Sequence, residues 1–231
     1  MPKQKIGLTG ELAKEYGRQA GAVAVGIAAA GDFTRAPAGF RPGDALEGCM
    51  SVIVLGVPFP PEALNMDAPA YTELRNAMLT RMTAIAKDLE KRIKADGHRA
   101  KAVSASGGKT IDGKLWGHIS LKHAAELAGL GVITRNCLLT SPAHGNLLWL
   151  SAVLTDAALA PDEKLQMNPC ENCGICVKAC PCGALDDPAA FGRIECAKFF
   201  KIINKKLEIQ CYRCRALCPH RFGISRLTLR S

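Results

Sequence analysis

The sequence predicts an α+β protein built from two domains, residues 1–160 and 161–231. In the first domain, apolar runs of strand length alternate with segments whose apolar residues recur every three or four positions, which is the helical spacing. A stretch of that length can bury an apolar core of its own. The second domain differs, because it holds all of the eleven cysteines except Cys49 and Cys137. So small a segment is expected to be held together by metal centres.

Three segments before residue 60 have the marks of regular structure. Residues 9–20 predict a short helix that begins at Thr9, whose hydroxyl can cap the first turn. Residues 22–28 form an apolar run of strand length. Residues 51–57 predict the clearest strand, and their continuous apolar character is typical of a strand that is buried on both faces.

The longest predicted helix covers residues 74–93, where apolar side chains are spaced three or four apart. These side chains are Leu74, Met78, Met82, Ile85, Leu89 and Ile93. Gly97 is expected to end the helix as a C-terminal cap. We interpret the two methionines as core residues rather than as metal ligands.

Four further segments lead from this helix to the cysteines. Residues 98–104 predict a strand that enters a glycine-rich loop, and residues 120–128 predict a helix capped by Ser120. Residues 132–145 have neither a helical nor a strand period, and they predict a loop of the kind that lines ligand sites. Residues 147–155 predict the last strand, and residues 156–168 a linker.

The cysteine-rich segment contains two related motifs, and the second lacks the first cysteine of the spacing. Its two halves read Cys170-x-x-Cys173-x-x-Cys176-x-x-x-Cys180-Pro181 and Cys211-x-x-Cys214-x-x-x-Cys218-Pro219. Gaps of two, two and three residues before a Cys-Pro pair are typical of bacterial ferredoxins, in which the fourth cysteine ligates the other of two clusters. The sequence therefore predicts two [4Fe-4S] clusters.

Counting ligands under that rule assigns four cysteines to each cluster. The first set is Cys170, Cys173, Cys176 and Cys218. The second set is Cys180, Cys196, Cys211 and Cys214, which would be one ligand short without Cys196. Cys182 is the one rival to Cys180, and we interpret it as a spare because the Cys-Pro pair fits the usual ligand position.

Two other interpretations of the cysteines explain less of the pattern. A zinc ribbon also contains paired Cys-x-x-Cys motifs. It needs only four ligands, however, so it does not explain a third cysteine at the same spacing followed by Cys-Pro. Disulfides require an oxidising compartment, and residues 1–5 lack the apolar run of a signal peptide. We therefore expect a cytoplasmic protein. We expect no membrane span either, because no apolar run approaches about eighteen residues.

The formal net charge of the chain is +9. Two oxidised clusters, each of about −2 with its thiolates, would lower this balance to about +5. Lysine and arginine are spread along the chain without a long block, and aromatic residues make up only 5%. A solvated surface is favoured over a phosphate-bearing partner, so nucleic acid is not expected as a partner.

Residues 128–139 read Ala-Gly-Leu-Gly-Val-Ile-Thr-Arg-Asn-Cys-Leu-Leu, and a strand ending Leu-Thr-Asp and then the cysteine motif follow them. This arrangement, over about residues 51–219, resembles the cobalamin-dependent epoxyqueuosine reductases and the reductive dehalogenases. Cys196 matches the lone cysteine that the family carries between its two motifs. The resemblance implies a nitroreductase-like α+β domain that binds a corrinoid, followed by a ferredoxin-like domain with two [4Fe-4S] clusters.

The resemblance also implies where a corrinoid would be contacted, which is the loop after the Ala-Gly-Leu-Gly segment. The residues implied are Gly131, Thr134, Arg135, Asn136, Cys137 and Leu138. The chain departs from the family at Leu115, where the reductases carry an aspartate that is the expected proton donor. His118 is the better candidate than Asp112 to take that role, because its ordinary pKa lies near neutrality. The helical-repeat region that longer reductases use with tRNA has no counterpart in this chain, which would make it a short form of the family.

The function implied is that of an oxygen-sensitive reductase. Electrons from a donor such as ferredoxin or flavodoxin would pass through the two clusters to a cobalamin in the first domain. One alternative is an electron-transfer protein of the ferredoxin type that reduces a separate corrinoid or flavin enzyme. Another keeps the enzyme but replaces cobalamin by FMN. The chain has no Gly-x-Gly-x-x-Gly fingerprint for a dinucleotide, which says little about FMN.

Overall fold

The structure, a computed structural model, describes residues 7–103, 109–111, 114–188, 191–204 and 206–224, with the backbone alone at 109–111, 114–116 and 206. The chain divides into two compact units. The first unit comprises Met1–Val57, Leu79–Gly131 and Trp149–Leu165, and the second comprises Pro58–Met78, Val132–Leu148 and Gln166–Ser231. The domain boundaries at residues 160 and 161 stay a prediction.

The described part of the chain is mixed α/β. The strands are β1 (Ala24–Ala29), β2 (Ser51–Pro58), β3 (Ala100–Val103), β4 (Lys109–Ile111), β5 (Lys114–Trp116), β6 (Val132–Ile133), β7 (Leu139–Thr140), β8 (Leu148–Thr155), β9 (Phe200–Ile203) and β10 (Lys206–Ile209). The helices are α1 (Gly10–Gln19), α2 (Pro42–Ala45), α3 (Ala68–Ala95), α4 (Leu121–Leu127), α5 (Ile175–Lys178), α6 (Arg193–Ala197) and α7 (Arg213–Ala216), with 3₁₀ turns at Ala30–Asp32 and Pro61–Asn65. None of these helices has both the length and the apolar character needed to cross a bilayer.

A four-stranded sheet in the order β1-β2-β8-β3 forms the centre of the first unit. β1 pairs antiparallel with β2, placing Ile27 opposite Ile53, and β3 pairs antiparallel with β8, placing Ala102 opposite Val153. Every residue of β2 is buried except Pro58. The prediction that this strand is covered on both faces is therefore confirmed, since its unbroken apolar run leaves no polar face for water.

The two longer predicted helices are confirmed, with differences at their ends. The Thr9 hydroxyl accepts a hydrogen bond from the Leu12 N–H at 3.2 Å, as the capping prediction requires. α3 begins at Ala68, six residues before the predicted stripe, because the Asp67 carboxylate accepts from the Ala70 N–H at 2.9 Å and extends the helix. Gly97, at φ 88°, forms the left-handed residue that follows its end.

Three local predictions were wrong in detail. The glycine-rich stretch after residue 104 contains the β4–β5 hairpin, with Thr110 opposite Leu115. The loop 132–145 contains the short β6–β7 hairpin, and two residues per strand are too few to show a period in the sequence. Ser120 occupies the N-cap of α4 without capping it by a side-chain bond, because its hydroxyl bonds to His123 Nδ1 at 2.7 Å.

The linker after β8 is fixed to the first unit by one carboxylate. Asp162 accepts from the Ile27 N–H at 2.8 Å and from Lys14 Nζ at 2.5 Å, while its own N–H donates to the Ile27 carbonyl at 2.8 Å. The hydrogen bond that Lys14 donates to Asp162 raises the pKa of Lys14, although burial opposes this effect. The carboxylate therefore ties α1, β1 and the linker to one another.

Candidate metal centres

Four cysteines of the second unit line one pocket, and we call them the first cysteine group. They are Cys170, Cys173, Cys176 and Cys218, the four predicted to hold the first cluster. The remaining walls come from Thr134, Arg135, Asn136, Pro169, Gly174, Pro219 and His220. The space between them is about 310 Å³, including the part that is open to solvent. The structure thus brings together three sulfurs of one tight loop and a fourth from forty residues later in the chain.

The local backbone explains how one loop presents three sulfurs. The Cys173 N–H donates to the Cys170 carbonyl at 3.2 Å, which closes a turn between them. Gly174 is left-handed, at φ 61°, and this conformation redirects the chain into α5, which carries Cys176. The two-residue gaps therefore correspond to one turn followed by the start of a short helix.

Two sulfurs of the first cysteine group are deeply buried. Cys176 and Cys218 are each 8% exposed. Burial is the main cause that raises the pKa of both thiols, and the neighbouring cysteines of the group add to this effect. A metal ligand has to be a thiolate, so metal binding at these sulfurs would have to displace their protons.

A hydrogen-bond donor is aimed at the first cysteine group from the β6–β7 hairpin. The hairpin turn is closed by the Cys137 N–H, which donates to the Thr134 carbonyl at 2.7 Å, and Cys137 is left-handed at φ 57°. The second residue of such a turn has no partner for its own N–H within the turn. Here that residue is Arg135, and its N–H donates to Cys170 Sγ at 3.3 Å.

Asn136 and the Arg135 side chain connect this turn to two parts of the cysteine segment. Asn136 is 4% exposed, and its Nδ2 donates to the Cys214 carbonyl at 3.1 Å. The Arg135 guanidinium donates to the carbonyls of Asp186 and Asp187 at 3.0 and 2.8 Å. The turn is thereby held against α7 and against the loop that follows Cys182.

A second set of thiols, which we call the second cysteine group, has five members. They are Cys180, Cys182, Cys196, Cys211 and Cys214. Cys180 Sγ and Cys182 Sγ lie 3.7 Å apart. Burial raises the pKa of Cys196, and the charges of Cys182, Cys211 and Cys180 raise it further. The structure therefore places Cys182, which we interpreted as a spare, among the four predicted ligands.

The thiols of the second cysteine group differ in how easily they lose a proton. Burial raises the pKa of Cys214 to about 12, and the nearby Cys196 and Cys211 act in the same direction. Burial acts to raise the pKa of Cys180. Hydrogen bonds from backbone N–H groups within residues 182–185 and from the Cys182 thiol outweigh burial, so the pKa of Cys180 is lowered. Cys180 is therefore the thiol whose anionic form the protein itself stabilises.

Short elements hold the second cysteine group together. α6 carries Cys196, and α7 carries Cys214. The Gly192 N–H, just before α6, donates to the Ala184 carbonyl at 2.9 Å. A Cβ atom at Gly192 would lie 3.0 Å from Ala184 Cα, so this close approach favours glycine. The contact brings the segment after Cys182 alongside the helix of Cys196.

The described residues contain no group of three or more His, Cys, Asp or Glu side chains that could hold one metal ion. A four-iron cubane makes a different demand, because each of its corners takes one thiolate and the four thiolates lie around the cluster rather than around one atom. The first cysteine group meets this demand with four sulfurs around one pocket. Fit to a cubane is thus supported by the lining of the pocket and by the N–H donor at Cys170.

The residues implied for corrinoid contact are divided between two environments. Thr134, Arg135 and Asn136 line the pocket of the first cysteine group, and Cys137 and Leu138 are half-buried beside them in the sequence. Gly131 is buried in the first unit. His118 is half-buried after β5, and Asp112 lies outside the described residues. Contact of any of them with a cofactor stays a prediction.

A second pocket in the same unit was not anticipated from the sequence. It is lined by Pro58, Phe59, Pro61, Ala143, His144, Leu147 and Phe222, and holds about 660 Å³ including its open part. The part of the pocket wall that follows β7 lies next to residues 220–224, because the Ile224 N–H donates to the Pro142 carbonyl at 2.9 Å. Gly145 allows this approach, since a Cβ there would lie 2.2 Å from the His220 carbonyl oxygen. In the sequence, Pro58, Pro60 and Pro61 indicate only that the strand ends there, and they do not indicate a pocket.

Curated proteins similar in sequence are epoxyqueuosine reductases. The enzyme of Bacillus subtilis (strain 168) is 30% identical over 116 residues, that of Synechococcus sp. (strain RCC307) 35% over 104 residues, and that of Gloeobacter violaceus 29% over 137 residues. The chain resembles the epoxyqueuosine reductases. This likeness confirms the resemblance predicted from the sequence. No protein-family model matches the chain.

The matched regions cover only part of each epoxyqueuosine reductase. They comprise 45%, 41% and 59% of this chain, and 29%, 32% and 39% of the three relatives in the same order. The chain therefore matches about a third of the length of these enzymes. Their complete activity does not follow from the match.

Solved structures of epoxyqueuosine reductases and of a reductive dehalogenase are similar to this chain in fold. An epoxyqueuosine reductase bound to an epoxyqueuosine-modified tRNA stem-loop is 22% identical, with a TM-score of 0.65 over 91% of this chain and 64% of that one. A catabolic reductive dehalogenase is 21% identical, with a TM-score of 0.71 over 95% of this chain and 33% of that one. The mixed α/β fold expected from the resemblance to epoxyqueuosine reductases is confirmed.

Proposed function

We propose that this chain is an iron–sulfur oxidoreductase in which two [4Fe-4S] clusters pass electrons to a cobalamin. The observation that carries the proposal is the convergence of Cys170, Cys173, Cys176 and Cys218 on one pocket. The similarity to epoxyqueuosine reductases supports the choice of cofactors. The first cysteine group would hold the first cluster, and Cys180, Cys196, Cys211 and Cys214 would hold the second.

The two clusters would be close enough to exchange electrons. Cys176 lies on α5 and Cys180 lies two residues after the end of α5, and Cys214 and Cys218 repeat this arrangement at α7; the two cysteines of each pair would serve different clusters. Four residues span at most about 14 Å even when fully extended, so the chain itself keeps the two cysteine groups adjacent. In agreement, the charge of Cys176 acts on the pKa of Cys214, which burial and other neighbours raise.

The protein would tune the first cluster through the Arg135 N–H. Reduction adds negative charge to a cluster, and a hydrogen bond to a thiolate sulfur stabilises that charge. The N–H that donates to Cys170 Sγ is held in place by the turn and by the Asn136 bond to the Cys214 carbonyl. A fixed donor of this kind makes the first cluster easier to reduce than it would otherwise be.

Cobalamin, when bound, would supply a strongly reducing cobalt centre for the substrate. We propose that the loop from Gly131 to Leu138 contacts it. Because Thr134, Arg135 and Asn136 of this loop also line the first cysteine group, a cofactor held by the loop would neighbour the first cluster. Electrons from a ferredoxin or flavodoxin would then enter at the second cluster and leave from the first.

The substrate is the part of the proposal in which this chain departs from its relatives. Leu115 stands where the resemblance places a carboxylic acid, and a leucine cannot donate a proton. His118 is our candidate for that role. One structural relative holds a modified tRNA stem-loop, which weighs against our expectation that nucleic acid is not a partner. We therefore include a tRNA stem-loop among the substrates to be tested.

A second candidate function is that of an electron carrier for a separate corrinoid or flavin enzyme. Leu115 favours it, since a carrier needs no proton donor of its own. A carrier would hold both clusters and would bind no corrinoid. The two candidates therefore differ in one measurable property.

The test is an anaerobic titration of the iron-reconstituted protein with cob(II)alamin, followed by electron paramagnetic resonance. The proposal predicts a stoichiometric change to the base-off cobalt spectrum. The Cys218→Ala variant, which loses the first cluster, is expected to bind cobalamin but not to reduce it. An unchanged cobalt spectrum with both clusters intact would reject the cobalamin assignment, and the retention of FMN would then separate a flavin enzyme from a carrier.

A further inference from the structure

The second cysteine group contains one thiol more than a cubane can use. A [4Fe-4S] cluster takes four thiolates, whereas five cysteines surround this site. Cys196 lies on α6, Cys214 lies on α7 and Cys211 lies just before α7, and none of them has a second cysteine two residues away in the chain. Cys180 and Cys182 are different, because they are two residues apart in one loop. The surplus is therefore confined to this pair.

The sulfur atoms of Cys180 and Cys182 lie next to each other. Cys180 Sγ and Cys182 Sγ are 3.7 Å apart, which is the distance of a direct sulfur contact. Pro181 and Cys182 lie in a turn, and this turn brings the two side chains together. Gly183 then turns the chain with φ 65°, and the Asp186 N–H closes the turn on the Gly183 carbonyl at 3.1 Å.

Cys182 faces the other members of the group rather than solvent alone. The Gly192 N–H donates to the Ala184 carbonyl at 2.9 Å, and the Cys196 N–H donates back to the Gly192 carbonyl at 3.0 Å. These two bonds connect the segment of Cys182 to the first turn of the helix that carries Cys196. Cys182 is half-buried, so it is partly accessible to solvent.

We propose that Cys180 and Cys182 are alternative ligands for one corner of the second cluster, so that either of them completes the set of Cys196, Cys211 and Cys214. This inference rests on the proposed function, which requires two clusters. In the exchange, the bond from one sulfur to iron breaks while the other sulfur forms it. The incoming thiol gives its proton to the outgoing thiolate, and no electron is transferred. Removal of one partner would leave the corner ligated by the other.

The experiment compares iron and acid-labile sulfide in anaerobically reconstituted proteins. The variants are Cys180→Ala, Cys182→Ala, the double variant of both, and Cys196→Ala as the matched control. We expect about eight irons per chain in the wild type and in both single variants at this pair. The double variant and Cys196→Ala are expected to hold about half as much. The first cluster, which all of them keep, reports that each variant has folded.

Spectra show whether the second cluster is still present in each variant. Electron paramagnetic resonance of the reduced Cys180→Ala protein is expected to show two interacting clusters, whereas the double variant shows one. A Cys180→Ala protein with half the wild-type iron would overturn the inference, because Cys182 would then be unable to take the corner. Wild-type protein that holds fewer than about eight irons would instead reject the two-cluster function on which the inference rests.

Discussion

The backbone N–H of Arg135 lies 3.3 Å from Cys170 Sγ. This bond joins a hairpin turn that the sequence shows as an irregular loop to the first cysteine of the ferredoxin-type motif. Its geometry depends on the turn, since the second residue of a β-turn directs its N–H outward. The contact therefore explains why residues 134–136 line the pocket of the first cysteine group although none of them is a predicted metal ligand.

Replacing Arg135 by proline should lower the reduction potential of the first cluster by about 40 mV, equivalent to a hydrogen bond of about 1 kcal/mol. Proline lacks the N–H and is favoured at the second position of such turns, so the hairpin should be retained. The potential is measured by a redox titration followed by electron paramagnetic resonance. Arg135→Ala is the control, because it keeps the N–H and loses only the guanidinium bonds to Asp186 and Asp187. Equal potentials in both variants would reject this role of the N–H.

Replacing Cys218 by alanine should halve the iron content and leave the second cluster in place. Cys218 is the remote ligand that completes the first cysteine group, and its burial leaves no space for a substitute from outside. Iron and sulfide analysis gives the result directly. Cys137→Ala is the matched control, since Cys137 lies in the adjacent turn and is not a predicted ligand. Full iron content in Cys218→Ala would contradict the ligand assignment.

Tyr212 should couple cluster retention to the first turn of α3 and to the residues just before it. Its ring stacks on Tyr71 with centroids 4.1 Å apart, and its hydroxyl donates to the Met66 carbonyl. Tyr212→Ala is expected to cost about 2 kcal/mol and to lower the temperature of cluster bleaching by about 6 °C. Tyr212→Phe keeps the stacked ring and should cost about 1 kcal/mol. Identical bleaching curves for all three proteins would show that this contact does not stabilise the site.

The Lys14–Asp162 pair should contribute stability that disappears at high pH. Its hydrogen bond raises the folded pKa of Lys14 above the ordinary value of 10.5. The contribution is therefore complete below about pH 10.5 and is lost as the pH rises through the folded pKa. Urea unfolding of the wild type and of Asp162→Asn should differ by about 1 kcal/mol at pH 8, and the difference should shrink by pH 11.5.

Two controls limit the interpretation of that difference. Asparagine at position 162 keeps an oxygen that can accept from the Ile27 N–H, so only the charge is removed. Glu11→Gln removes the other, well-exposed partner of Lys14 and should change stability by less than about 0.5 kcal/mol. A difference that stays constant from pH 8 to 11.5 would show that Lys14 is not its source.

Elements with a strong local signal were predictable from the sequence. The unbroken apolar run of β2 and the three-and-four spacing along α3 each allow one interpretation, and both were confirmed. The spacing of the cysteines also placed four of them in one set, and the structure brings those four together around a pocket. Their role as iron ligands remains a prediction.

Features that depend on distant residues had no such signal. The stacking of Tyr71 on Tyr212 joins residues 141 positions apart, and neither sequence neighbourhood indicates the other. The β6–β7 hairpin has two residues per strand, too few for a period, and its partner Cys170 lies far along the chain. The interpretation of Cys182 as a spare rests on the Cys-Pro rule alone. That rule gives no information on the distance between Cys182 Sγ and Cys180 Sγ.

Mössbauer spectroscopy of the ⁵⁷Fe-reconstituted protein decides whether this chain holds two [4Fe-4S] clusters. We expect essentially all iron to appear as cubane clusters, at about eight irons per chain, and Cys218→Ala to retain about half of it in the same form. A single cubane in the wild type, or iron bound as isolated tetrahedral ions, would show that the chain does not hold two clusters.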